Sequence, residues 1–269
     1  MSDAEVTNTE FSILLWLVAA VVAVLSAHVG MAWIQRARRR PSMGQSWPAQ
    51  LLAAITLGTG FCASGALALS AEGLHYPVGF GSVAAPVLWL GTMIGSLPLV
   101  LWLTHSQRWW TLLITGALLA GLAAGAEVGW VWAAGLRPGV TWKLPWLGAA
   151  MAVLFTGCIC GLWVASAERT VQGDPRKLWR VGAALIFGLS VLSGQELVLA
   201  ATDLALQRGS VYRHQLPSNL LSLACAVLVP LTLAVMAIDL AIRRRRRRET
   251  DTDFLPHKRR KRRHRVRTL

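Results

Sequence analysis

Charge is what this sequence has least of. Of its 269 residues, 15% are charged and 54% hydrophobic, whereas a soluble domain carries roughly a quarter charged residues. That shortage excludes an ordinary soluble domain and marks an integral membrane protein. The signatures of common catalytic sites are also missing: no phosphate-binding Gly-rich loop with Lys-Ser/Thr, no nucleophile elbow and no zinc-protease helix. The apolar runs leave no room for a soluble catalytic domain, so the chain is expected to be a non-enzyme without an attached signalling output domain. Cysteine is sparse. Cys62, Cys158, Cys160 and Cys225 all fall inside apolar runs, which argues against a disulfide framework and for small buried thiols. Residues 1–10 hold Asp3, Glu5 and Glu10 but no Lys or Arg, which speaks against a cleaved signal peptide, since that needs a positive start.

What the chain does contain is a series of long apolar stretches, at about 11–34, 47–70, 83–104, 109–133, 145–167, 181–203 and 218–242. Each is near the roughly 20 residues that a bilayer requires. The expected fold is an all-α bundle of seven transmembrane helices, with residues 1–10 external and residues 243–269 a disordered cytoplasmic tail. The formal charge of +14 lies mostly in that tail, which carries fourteen Lys/Arg against three acids. Alternate loops divide the remaining basic residues. One side receives Arg36, Arg38, Arg39, Arg40, Arg108, Arg169, Arg176, Lys177 and Arg180; the other receives Arg137, Lys143, Arg208 and Arg213. By the positive-inside rule the N-terminus is outside and the C-terminus inside.

A short pattern recurs near the outer end of three spans. It reads Gly58-Thr-Gly-Phe-Cys-Ala-Ser-Gly65, then Gly121-Leu-Ala-Ala-Gly-Ala-Glu127-Val-Gly129-Trp130, then Gly188-Leu-Ser-Val-Leu-Ser-Gly-Gln195-Glu196. The starts lie 63 and 67 residues apart, which fits one leading helix followed by three helix pairs at about 47–104, 109–167 and 181–242. Small residues at intervals of four, Gly91 and Gly95, Gly121, Gly125 and Gly129, and Gly157 and Gly161, predict ridges for close helix packing. Pro98 and Pro230 lie inside spans and predict kinks. Trp47, Trp109, Trp110, Trp132, Trp142, Trp146 and Trp179 lie at span ends and read as interfacial anchors.

The leading helix with Ser26-Ala27-His28-Val29-Gly30, the basic Gln35-Arg36-Ala37-Arg38-Arg39 loop, the three pairs with Gly-rich approaches, and Pro77-Val78-Gly79-Phe80 after the first repeat together resemble the MHYT family of bacterial membrane sensor domains. The resemblance covers residues 11–242. It implies a sensory or signalling module of the bacterial inner membrane. In that family each repeat carries Met-His-Tyr-Thr, whose His and Met are proposed to hold copper that senses a diatomic gas. Here the corresponding columns read Ser64-Gly65-Ala66-Leu67, Glu127-Val128-Gly129-Trp130 and Gly194-Gln195-Glu196-Leu197. No motif histidine or methionine remains, so the family's copper site is lost and no cofactor is expected.

Two repeats place a carboxylate in those columns. Glu127 and Glu196, with Gln195 beside them, face a common cavity if the repeats are arranged pseudosymmetrically. An ionisable group in hydrocarbon costs about 2.5–3.5 kcal/mol on insertion scales and normally faces the bundle interior or water. These three residues are therefore candidates for a site that binds a proton or a cationic ligand. The plainer reading is that the acids hydrogen-bond neighbouring helices or line a wet vestibule. His75 and His214, in outer loops beside Tyr76 and Tyr212, are weaker candidates for a metal site near the surface, since loop histidines without fixed spacing are usually solvated.

The tail opens with Arg243, Arg244, Arg245, Arg246, Arg247 and Arg248 and ends in a second basic block. Beside a membrane such a segment gains on the order of 1 kcal/mol per residue from anionic lipid headgroups. It also serves as a stop-transfer signal. Without a recognisable binding module, any contact with nucleic acid is nonspecific. The sequence supports a sensory module that signals through its tail, its loops or a partner protein. Two alternatives stand beside it: a small transporter conducting protons or cations through Glu127 and Glu196, and a structural membrane anchor whose tail recruits lipid or a partner.

Overall fold

The computed structural model describes residues 11–39, 43–72, 79–106, 108–136, 140–167, 175–202, 212 and 214–266. Its elements are α1 (Ile13–Arg38), α2 (Met43–Ala71), β1 (Gly79–Gly81), α3 (Ala84–His105), α4 (Trp109–Ala133), α5 (Leu144–Ala167), α6 (Pro175–Ala200), β2 (Gln215–Pro217) and α7 (Ser218–Val266). Each of the seven helices contains a stretch long and apolar enough to cross a membrane. The protein is therefore an all-α, multi-pass membrane protein. The helices form because each run is apolar and uninterrupted, and in lipid every backbone N–H and C=O must find its partner within the segment. Proline does not end α3, which continues past Pro98.

Helices α1 to α6 close a ring: α1 packs on α2 and α6, and the others follow in order, α2 on α3, α3 on α4, α4 on α5 and α5 on α6. Inside it α2, α4 and α6 also touch one another. Burial follows this division. The most apolar stretch of α2 is 78% buried and those of α4 and α6 are 50% and 56% buried, against 22% for α3 and 33% for α5. The helices bearing the recurrent Gly pattern are thus the inner ones. Cys225, Val229 and Leu233 of α7 join the core cluster that contains Ala19, Val22 and Trp130.

Glycine makes these approaches possible at specific points. A methyl group on Gly58 would lie 2.6 Å from the Met93 Cα, and one on Gly188 would lie 2.6 Å from the Val24 Cα. Backbone therefore meets backbone between α2 and α3 and between α6 and α1. Gly157 and Gly161 likewise abut Ser190 and Phe187 across the α5–α6 contact, as the spacing predicts. The ridge expected on α4 is different. Gly121 and Gly125 face open space, because the inward face of this helix is set by Ala120, Ala123, Ala124, Glu127 and Trp130, and a helix cannot bury both stripes. Cys160 also faces outward, unlike the buried Cys62, Cys158 and Cys225.

One end of the bundle is knitted together by its connections. β1 pairs antiparallel with β2, Phe80 opposite Leu216, and Ser82 N–H donates to the His214 carbonyl at 3.3 Å. Lys143 N–H donates to the Ala201 carbonyl at 2.8 Å, and Ser12 N–H to the Ala71 carbonyl at 2.9 Å. We refer to this as the ribbon end. Trp47, Trp109, Trp132 and Trp146 are exposed at helix ends, in keeping with interfacial anchoring.

The chain divides into two compact units, one ending at Leu233 and one beginning at Ala234. The second continues α7 as helix to Val266, where the sequence reading expects a disordered tail. The physical reason lies in its composition. Arg and Lys have high helix propensity, and a segment that continues an existing helix needs no new nucleus. Residues 1–10 lie outside the described residues.

Candidate functional site

The three columns singled out in the sequence meet at one buried place near the ribbon end. Ser64 on α2, Glu127 on α4 and Gln195 on α6 are each fully buried. Ser64 Oγ donates to Gln195 Oε1 at 2.9 Å, and Gln195 Nε2 donates to the Phe61 carbonyl at 3.0 Å. The amide of Gln195 is thereby fixed at both ends, its oxygen taken by one residue of α2 and its nitrogen held by another.

Gly65 provides the room for Glu127. A methyl group there would collide with Glu127 Oε2 and would lie 3.1 Å from Trp130 Cδ1 and 3.3 Å from Gln195 Nε2. The carboxylate thus lies over the bare Cα of Gly65. Trp130, one turn along α4, turns its indole N–H to the Cys62 carbonyl at 2.8 Å. Its ring meets Phe80 of β1 edge-on. The Cys62 thiol lies 3.1 Å from Thr92 Oγ1, which ties α3 to the same turn of α2.

Both oxygens of Glu127 are buried without a hydrogen-bond partner, and so is Glu196 Oε1. Gln195 Nε2 and Trp130 Nε1 donate to α2 carbonyls instead. Glu196 is half-buried; it receives the Trp16 side chain of α1 and interacts electrostatically with both Glu127 and Glu72. Glu72, just beyond α2, lies outside the spans, and burial pushes its carboxyl above the ordinary range. The acids therefore run inward from the ribbon end in the order Glu72, Glu196, Glu127.

The residues predicted from sequence fare differently. Glu127 and Gln195 both lie against Gly65, whereas Glu196 meets the Trp16 side chain. His214 is exposed and contributes its backbone carbonyl to the ribbon. His75 lies outside the described residues, and Arg243 to Arg248 fall in a stretch described by its backbone alone. Among the described residues no three His, Cys, Asp or Glu side chains form a metal-holding group. Ser64, Gly65, Trp130, Glu72 and Trp16 were not assigned roles from sequence. Ser64, Gly65 and Trp130 stand in the aligned columns, which was the available signal; Glu72 and Trp16 carried none.

Comparison with known proteins gives one informative relative. The chain is 28% identical over 193 residues to the bifunctional diguanylate cyclase/cyclic di-GMP phosphodiesterase MucR of Pseudomonas aeruginosa. The match takes in 69% of this chain but spans only 27% of that protein's length. No family model matches, and no solved structure does. The chain is therefore a seven-helix membrane protein with distant similarity to part of a signalling protein.

Proposed function

We propose that this protein is a sensory module of the bacterial inner membrane, with the buried site at Glu127, Gln195 and Glu196 as its receptor element. The N-terminus and the ribbon end face outward, and the basic tail lies in the cytoplasm beside anionic lipid headgroups. The module has no catalytic activity of its own and signals to a partner protein. One observation carries this reading: a fully buried carboxylate with no partner at either oxygen, at the meeting point of the three inner helices. An ionisable residue inside a membrane bundle is costly and marks a functional site by default, and a buried polar group left without a hydrogen bond costs about 1–3 kcal/mol. The similarity to part of a cyclic di-GMP enzyme supports a signalling context.

The test is complementation of a clean deletion in the native host. Wild type, the double variant Glu127→Gln/Glu196→Gln, and a chain lacking residues 243–269 are expressed at matched membrane abundance, and cellular cyclic di-GMP and transcript profiles are measured. The reading expects both altered forms to fail. Full restoration by the double variant removes the receptor role. Restoration by that variant but not by the tail deletion favours a membrane anchor instead. The acidic row gives a specific reason to keep the transporter alternative in view, and cation or proton flux in proteoliposomes decides it.

A further inference from the structure

We infer that a cavity at the last turn of α4 binds a single-chain anionic amphiphile of the fatty-acid kind, its alkyl chain among Val131, Trp132 and Trp142 and its acid head at the water boundary. The inference goes beyond the receptor reading above and does not depend on it.

The cavity measures about 400 Å³. Val128, Val131, Leu136 and Val140 give it an aliphatic wall. Trp132, Trp142 and Tyr212 add three aromatic side chains. Each of these side chains is uncharged. Both the volume and the largely apolar, aromatic lining are those of small-molecule sites, which span about 300–1,000 Å³. Backbone pairing frames the walls. Gly135, at φ 59°, takes the left-handed conformation that ends α4 and leads into Leu136. Trp142 pairs antiparallel with Thr202, just past α6, and Tyr212 Oη donates to the Trp132 carbonyl at 3.5 Å.

Burial shows which way the cavity opens. Val131 is 2% and Leu136 8% exposed, whereas Val128 is 37% and Trp132 71% exposed. The two exposed residues belong to the membrane span Trp109–Ala133, so the open edge meets lipid and the ligand enters from the bilayer. Gly121 and Gly125 share the face of α4 that carries Val128 and Trp132 and look onto open space. A chain longer than the cavity therefore has a path along the helix.

Charge selects the head group. The two stretches of sequence that supply the walls, residues 128–143 and 204–217, contain Arg137, Lys143, Arg208 and Arg213 and no Asp or Glu. Lys143 directly follows the lining residue Trp142 and is exposed. Segments of one sign attract an anionic head and repel a cationic one. At this volume the cavity encloses one small molecule, a single alkyl chain rather than the two of a phospholipid.

The experiment measures retention of radiolabelled dodecanoate by the full-length protein in phosphatidylcholine nanodiscs, with empty nanodiscs as the blank for partition. Wild type should hold one dodecanoate per chain, saturably. Trp132→Ala and Val128→Phe, one removing an aromatic wall and one filling the cavity, should each weaken binding by roughly tenfold or more. Both positions are exposed, so neither change threatens the core, and a matched thermal midpoint checks this. Lys143→Gln should weaken binding by roughly two- to fivefold, and added NaCl should weaken it further. Dodecanol should compete poorly and dodecyltrimethylammonium not at all. Equal retention by wild type, Trp132→Ala and Val128→Phe overturns the proposal. Equal competition by dodecanol or by the alkylammonium overturns the anionic class. Displacement of dodecanoate by phosphatidylglycerol added to the nanodiscs makes the occupant a two-chain lipid and overturns the single-chain assignment.

Discussion

Phe80 stands edge-on to Trp130, with ring centroids 5.2 Å apart and planes at 79°, and this pair joins the surface ribbon to the buried site. Trp130 is three residues from Glu127 and hydrogen-bonded to α2 through Cys62. Phe80 and Trp130 thus bring β1, which pairs with β2 at the start of α7, into contact with the turn of α4 that carries Glu127.

Replacing Trp130 should separate the two halves of that contact. Trp130→Phe keeps an aromatic ring but removes the bond to the Cys62 carbonyl and leaves space where the second ring of the indole stood, and is expected to destabilise by about 1–3 kcal/mol. Trp130→Ala removes the ring as well and should cost about 3–5 kcal/mol. Thermal denaturation in detergent checks the order, and equal losses would mean that the ring carries no load.

Gly65 and Glu127 should prove energetically coupled. Gly65→Ala drives a methyl group into the carboxylate and is expected to destabilise by about 1–3 kcal/mol. In a Glu127→Ala background the same change should cost much less, a coupling of about 0.5–3 kcal/mol in a double-mutant cycle. Additive losses would place the carboxylate away from Gly65.

The glycines of the recurrent pattern should divide by what they face. Gly58→Ala and Gly188→Ala push against the backbones of Met93 and Val24, which cannot rotate aside, and should each lose about 1–3 kcal/mol. Gly121→Ala and Gly125→Ala meet open space and should be neutral, or stabilising by up to about 1 kcal/mol through helix propensity. Parallel losses at all four would mean that α4 packs by a different face.

Glu72 should give stability a pH dependence of definite sign. Its carboxyl is raised from the ordinary 4.5 by burial, so the folded state holds the proton more tightly than the unfolded chain. That contribution is fully present below the ordinary value and is lost as pH rises through the folded one. Melting curves of Glu72→Gln should therefore fall less than those of wild type as pH is raised from about 4.5 toward neutral. Parallel curves would remove the effect.

Much of this architecture is legible in the sequence because membrane helices follow from local composition. The seven apolar runs mark the seven candidate membrane spans to within a few residues, although α7 continues to Val266, and the aligned columns include Ser64, Gly65, Glu127 and Gln195, which meet in the structure. What local composition does not encode is which way each helix faces. The Gly121 and Gly125 ridge therefore turns outward. Trp130 reads like any other tryptophan in an apolar run, although it is fully buried. The ribbon has strands of three residues and no periodicity to detect. The partnerless state of the Glu127 oxygens depends on where Gln195 and Trp130 direct their N–H groups, a matter of tertiary geometry alone.

The measurement that tests the account most directly is hydrogen–deuterium exchange of wild type and Glu127→Gln in lipid nanodiscs at matched pH. If the buried carboxylate is a receptor element, the substitution alters exchange in the ribbon segments 79–81 and 215–217 and at the opposite ends of α2, α4 and α6. If exchange changes only within the turn around residue 127, the carboxylate is a local structural group and the sensory reading is contradicted.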